Sequence, residues 1–373
     1  MQDLAFATQI VGSWTKPHWL ADHELVYGEE GTWWRVGPQQ LNEAHDDAVR
    51  LAVSDQSTAG LTYVTDGEQR RQTFSGHFYR MNGIDVADRG EAVSKAIDIM
   101  SSITMKTRPI PAPTLSAGGE ASGDSAAPPR PRQLQPKVTG PISWAGPILE
   151  NEIRFLRSIT TSPIKVTVIG PVTLGLRLVD EHYGNLDTMT FAVADALNQE
   201  LLSLQALGVD LIQIDEPEVH FRYSAVAGYA VEAIDRCLRG VTTRKAIHVC
   251  YGYSKNIAEK RESPVYAAAL RLLAETSTDE VSLEYEQPGH RPELLTNLAG
   301  KAVILGVLNL DTEAEVESTD HIVQRVSEAT EVVGPAQMRL ASDCGMWFLP
   351  RATANAKIRS MTQAAKILRG RHC

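Results

Sequence analysis

Short apolar runs recur along the chain, and each closes on small or acidic residues. Residues 165–169 (Lys165-Val166-Thr167-Val168-Ile169) end at Gly170-Pro171-Val172-Thr173, and 210–214 end at Asp215-Glu216-Pro217. Residues 246–250, 280–286 and 302–307 follow the same form, and 338–342 run into Asp343-Cys344-Gly345. Earlier, 6–11 end at Gly12-Ser13 and 61–65 at Asp66-Gly67-Glu68. A near-continuous apolar run bounded by turn residues reads as a strand buried on both faces. Between the runs lie segments with apolar residues at helical intervals: 42–59, 151–158, 187–207, 225–238, 265–276, a short 292–298, 315–332 and 352–368. Strands alternating with helices predict a parallel sheet. Eight such units predict an α/β fold of the (β/α)8 TIM-barrel type, one domain over 1–373. An open doubly wound sheet would carry a Gly-rich phosphate turn, and there is no G-x-G-x-x-G or P-loop here.

Residues 109–136 interrupt this rhythm. They hold seven prolines and the Ala/Gly/Ser run 116–127. Such a stretch cannot bury enough apolar surface to offset chain entropy, so it reads as a flexible, Pro-rich insertion into the barrel.

Composition narrows the class. Hydrophobic residues make up 43% of 373, enough for a large core. A net charge of −10 without a basic run argues against a nucleic-acid partner. No segment reaches the ~20 consecutive apolar residues of a membrane span, and the N-terminus lacks a signal-peptide pattern. A cytoplasmic location is expected. Four widely spaced cysteines then suggest reduced thiols available to a metal or to catalysis. Cys237 falls mid-helix and Cys373 at the terminus, where neither suggests chemistry.

The polar residues converge. Ser13, Asp66, Glu68, Asp215, Glu216, His248, Cys250, Glu284, Glu286, Asp343 and Cys344 all fall at C-terminal ends of predicted strands, the rim where such barrels build active sites. His248 and Cys250 sit two residues apart, on one face of a strand. With Cys344 and one of Glu284 or Glu286 they form a donor set that suits zinc better than magnesium or calcium. A zinc ion could activate water, or it could bind a substrate thiol as thiolate. Glu68 and Asp215, beyond the ligand set, could grip an ammonium group.

At these residues the chain resembles the cobalamin-independent methionine synthases, specifically their C-terminal catalytic barrel. The likeness is carried in order by Val11-Gly12-Ser13, Asp66-Gly67-Glu68, Gly170-Pro171-Val172-Thr173, Ile214-Asp215-Glu216-Pro217, His248-Val249-Cys250, Ser282-Leu283-Glu284, Gly306-Val307 and Asp343-Cys344-Gly345-Met346. The resemblance implies zinc held by His248, Cys250, Glu284 and Cys344. It implies homocysteine held by Ser13 at its carboxylate and by Glu68 and Asp215, the catalytic pair, at its amine. It also implies an S-methyltransferase making methionine from homocysteine. Two departures concern the methyl donor. Where the full-length enzymes hold the pterin with a tryptophan, this chain has Leu174-Gly175-Leu176-Arg177. Near the position of a family histidine stand Asn309 and Asp311. The run from Asp343 to Arg351 looks closer to the short, single-domain branch, so methylcobalamin or a corrinoid protein is the expected donor ahead of methyltetrahydrofolate. The alternatives are a zinc alkyltransferase on another thiol, such as an epoxide:coenzyme M transferase, and a lyase like uroporphyrinogen decarboxylase. A non-catalytic binder fits the polar rim poorly.

Overall fold

The computed structural model describes residues 4–23, 33–94, 134–252, 260–261, 263–298 and 300–372. Ten strands are present among them: β1 Ala7–Thr8, β2 Asn82–Gly90, β3 Gln135–Ser143, β4 Lys165–Ile169, β5 Val179–Asp180, β6 Leu211–Asp215, β7 Arg244–Val249, β8 Glu280–Leu283, β9 Ala302–Gly306 and β10 Met338–Ala341. Seven form one sheet in the order β1-β10-β9-β8-β7-β6-β4, with every pairing parallel.

The gap between β1 and β4 is filled by residues 61–65. Thr62 and Tyr63 donate their N–H groups to the Thr8 carbonyl (2.9 and 3.2 Å), and Val64 bridges to Ile164 in parallel sense. Two threonine hydroxyls stand in for part of the ladder here. Thr62 Oγ1 accepts from Thr8 N–H, and Thr8 Oγ1 from Thr62 N–H (3.0 and 3.1 Å). This segment therefore lacks a regular strand's backbone pairing but still closes the ring. All eight predicted strand positions are occupied, and the fold is a closed (β/α)8 barrel. The strand before Gly12 is shorter than 6–11, and the one before Glu284 stops at Leu283.

The helices follow the predicted spacing. Leu41–Ala59 ends on Gly60, whose φ of 84° is the left-handed conformation glycine adopts freely. Leu186–Ala206 starts from Asn185, whose side chain accepts from the N–H groups of Asp187 and Thr188. The helix expected over 225–238 is split into Tyr223–Val226 and Ala230–Cys237. The stretch 292–298 is a 3-10 turn.

One unit lies outside the sequence expectation. β2, β3 and β5 form a second, three-stranded sheet, with β2–β3 antiparallel and β3–β5 parallel. The predicted insertion 109–136 lies outside the described residues up to 133. Its last two residues belong to β3, which corrects that boundary. No helix among the described residues is long and apolar enough to cross a membrane.

Candidate metal and thiol site

Barrel strands end abruptly at their C-terminal rim, so each delivers a side chain into a shared mouth. The cleft there, about 570 Å³ counted to its opening, includes Ser13, Glu68, Asp215, His248, Cys250 and Cys344 in its walls. Six of the seven residues assigned roles from the sequence thus share one cavity.

His248 leaves the C-terminal half of β7, and Cys250 follows it. His248 Nδ1 pairs with Ser282 Oγ on β8 (2.9 Å), which fixes the ring. Its Nε2 is buried without a hydrogen-bond partner. Ligand atoms of His248, Cys250 and Cys344 lie within 4.8 Å of one another, all three residues buried. Buried polar atoms are ordinarily hydrogen-bonded. An orphaned imidazole nitrogen facing two thiols is therefore a donor set that a metal ion would complete.

The two sulfurs are hydrogen-bonded. Cys344 Sγ donates to Cys250 Sγ at 3.5 Å. That bond pulls the Cys250 thiol well below its ordinary range and pushes the Cys344 thiol up. Burial, the largest single influence, lowers His248, but Cys250 by charge and hydrogen bond, with Asp215 added, raises the imidazole on balance.

Glu284 stands apart. It is buried, but one oxygen takes the Lys260 ammonium and the other accepts the Tyr251 N–H at 3.0 Å. Lys260 also reaches Gln287. The carboxylate expected as fourth ligand is thus turned to a lysine, outside the three-atom cluster.

Glu68 and Asp215 line the same cleft. Glu68 adopts φ 54°, a left-handed conformation unusual for a residue with a Cβ. Its Oε1 accepts from Thr167 Oγ1 (2.7 Å) and lies 3.4 Å from Arg71 Nη1. Asp215 Oδ1 accepts from Gln213 (2.7 Å). Burial pushes Asp215 up to about 7, with Glu68 adding to the rise and His248 opposing it. Among the described residues, Glu68 Oε2 and Asp215 Oδ2 accept no hydrogen bond, and both side chains face the cleft. The Ser13 carbonyl accepts from the Met346 N–H at 3.0 Å, which ties the first rim loop to the last.

The remaining rim carboxylates are braces. Glu216 accepts from the N–H groups of Val172 and Thr173 and from Thr173 Oγ1. Asp343 accepts from the N–H groups of Tyr285, Glu286 and Gln287. Asp66 accepts from Glu68 N–H, and Glu286 pairs with Arg325. Cys237 is a buried free thiol in the core, and Cys373 lies outside the described residues.

Three residues of the site had little or no signal in the sequence. Lys260 lies 24 residues before Glu284 with no motif between them. Gly12 stands in the Val11-Gly12-Ser13 turn, and sequence alone does not show which side chain it makes room for. Arg177 carries no motif of its own.

Residues 129–367 match the family model described as the catalytic domain of the cobalamin-independent synthase. The methionine synthase of Sulfolobus acidocaldarius is 26% identical over 364 residues, 97% of this chain and 92% of that protein. That of Saccharolobus solfataricus is 26% identical over 366 residues, 97% and 94% of the two chains. A B12-independent methionine synthase from Shewanella sp. W3-18-1, solved in complex with selenomethionine, matches 99% of both chains with a TM-score of 0.81 and 27% identity.

Proposed function

The chain belongs to the cobalamin-independent methionine synthase family through its catalytic domain, and from that premise we propose that it methylates the thiol of homocysteine, with zinc held by His248, Cys250 and Cys344. The observation that carries this reading is the shared cleft. A three-ligand His/Cys/Cys group and two open carboxylates line one cavity. A small thiol with an ammonium group spans that pair of features. The Shewanella relative's complex with selenomethionine, the selenium form of the product, supports the same occupant.

Bound zinc supplies a Lewis acid that lowers the pKa of the substrate thiol, so that it is a nucleophile near neutral pH. Glu284 is the candidate for a fourth ligand once it leaves Lys260. Glu68 Oε2 and Asp215 Oδ2 accept hydrogen bonds from the substrate ammonium. An ammonium beside Asp215 draws that carboxyl back toward its charged form. Ser13 takes the substrate carboxylate. Together these contacts fix where the sulfur sits, and orientation of this kind contributes much of a transfer rate. The free thiols Cys237, Cys250 and Cys344 suit a reducing compartment such as the cytoplasm. The methyl donor we favour is a methylated corrinoid or corrinoid protein, with methyltetrahydrofolate second.

The test is metal content with turnover. Purified protein is expected to retain close to one zinc and to form methionine from homocysteine but no methylated coenzyme M. Less than about half an equivalent of zinc after gentle purification would overturn the reading.

A further inference from the structure

Arg177 follows the helix Pro171–Leu176 and lines the same cleft as the metal cluster. It is only 7% exposed. Its guanidinium lies 5.1 Å from the centre of the Phe74 ring, and Nη1 donates to Ser75 Oγ at 3.3 Å, a long bond. Its Nε is buried without a partner. No carboxylate among the described residues lies within ion-pairing distance of it.

Other buried cations have firmer partners. Arg71 meets Glu68, Lys260 meets Glu284 and Lys357 meets Glu317, while Lys16 and Lys165 each donate to a backbone carbonyl, of Glu68 and Ile10. Burying a cation without a counter-charge is costly, and folds ordinarily supply one. At Arg177 the missing anion faces a cleft rather than a protein wall. Guanidinium offers donors in a planar fork that matches phosphate and carboxylate oxygens. The contact with the Phe74 ring uses none of the N–H donors, and among the described residues only Nη1 is engaged, by the long bond to Ser75.

We propose that Arg177, steadied by Phe74 and Ser75, is the receptor for an anionic oxygen group on the methyl donor. The inference rests on the reading above, in which Ser13, Glu68 and Asp215 already hold both charged ends of homocysteine. The anion left to Arg177 then belongs to the second substrate. A phosphodiester, as in methylcobalamin, and a carboxylate, as in the glutamyl part of methyltetrahydrofolate, share this chemistry.

The experiment uses zinc-loaded wild type, R177Q and R177K at saturating homocysteine. Donors are methylcobalamin, methylcobinamide (the same corrin without the phosphodiester) and methyltetrahydrofolate. With a charged donor, R177Q is expected to raise the donor KM about tenfold to a hundredfold, the range of a lost charged hydrogen bond. R177K recovers part of it, and the homocysteine KM stays put. If the phosphodiester is the ligand, wild type prefers methylcobalamin to methylcobinamide and R177Q erases that preference. If the carboxylate is the ligand, the loss falls on methyltetrahydrofolate. Equal donor constants in wild type and R177Q overturn the proposal, as does a rise confined to the homocysteine KM. A second readout needs no turnover. Inorganic phosphate, titrated by isothermal calorimetry, is expected to bind wild type saturably and R177Q not at all, and equal binding by both, or by neither, overturns the proposal. Wild type that binds phosphate through Arg177 but methylates no homocysteine from any donor would instead sink the proposed function. Should R177Q not fold, R177K is read by both measures, with a smaller loss expected.

Discussion

Gly12 gives a direct test of the proposed amine grip. A Cβ at this position would lie 2.5 Å from Glu68 Oε1, 2.7 Å from Thr167 Cγ2 and 3.0 Å from Thr167 Oγ1. Those atoms are the contact that aims Glu68, because Thr167 Oγ1 donates to Glu68 Oε1. In Gly12→Ala the methyl must therefore push the carboxylate and Thr167 apart by several tenths of an ångström. Overpacking of a buried site costs about 1–3 kcal/mol of stability. The loss at the substrate is separate. A charged hydrogen bond to an ammonium contributes about 1.5–3 kcal/mol, and each 1.4 kcal/mol is tenfold in affinity. The homocysteine KM should thus rise roughly tenfold to a hundredfold, while zinc content stays at the wild-type level. The control is 4-mercaptobutanoate, which has the thiol and the carboxylate but no amine. Its zinc-dependent binding should be unchanged by the substitution. A Gly12→Ala protein that is folded and zinc-replete yet keeps its homocysteine KM would refute Glu68 as the amine's partner. Equal losses for homocysteine and the deaminated analogue would place the damage at the metal side instead.

Cys344→Ala should leave the barrel folded by circular dichroism and lower zinc retention in a chelator competition by at least tenfold. Retention at wild-type strength would remove Cys344 from the ligand set. Asp343→Asn puts an amide where three backbone N–H groups need acceptors. With one donor facing another, it should cost about 1–3 kcal/mol in urea unfolding and loosen zinc as well. An unchanged urea midpoint would count against the bracing role. His45 is lowered to about 3, by burial first and by Arg70 and Lys16 after it. The unfolded chain takes up that proton near pH 6.5 and the folded chain does not. Wild type therefore loses stability as the pH falls from about 6.5 toward 3, and above 6.5 this group has no effect. Relative to wild type, His45→Gln should gain about 1 kcal/mol per pH unit across that window. A difference that stays constant with pH would sink the assignment.

The barrel was legible because strands buried on both faces leave apolar runs. β4 and β6 are buried along their whole length. The segment 61–65 was legible as a strand position for the same reason, though its ladder is partly made by hydroxyls that no periodicity reveals. The side sheet was not legible. β2 carries Gly83, Asp85, Asp88 and Gly90 and is mostly half-exposed or exposed, and its partner begins at Gln135 beyond the long Pro-rich stretch. Strand pairing at that separation leaves no local pattern.

The rim shows where residue type stops being informative. Glu68, Asp215, Glu216 and Asp343 are alike in sequence, each an acid just past an apolar run. Their acceptor use separates them. Glu216 spends both oxygens on N–H groups of the helix Pro171–Leu176 and Asp343 on those of residues 285–287, which fixes the segments around the His248/Cys250/Cys344 group. Glu68 and Asp215 each have one oxygen held by a side chain, Thr167 or Gln213, and keep the other for the cleft. Glu284 is a third case, with both oxygens engaged, one of them by a lysine. An oxygen held by Lys260 can be exchanged for a metal without leaving a backbone donor stranded, whereas Asp343 could not be released at that cost. Hydrogen-bond accounting of this kind, rather than position at a strand end, distinguishes carboxylates that can meet a ligand from those that hold the walls.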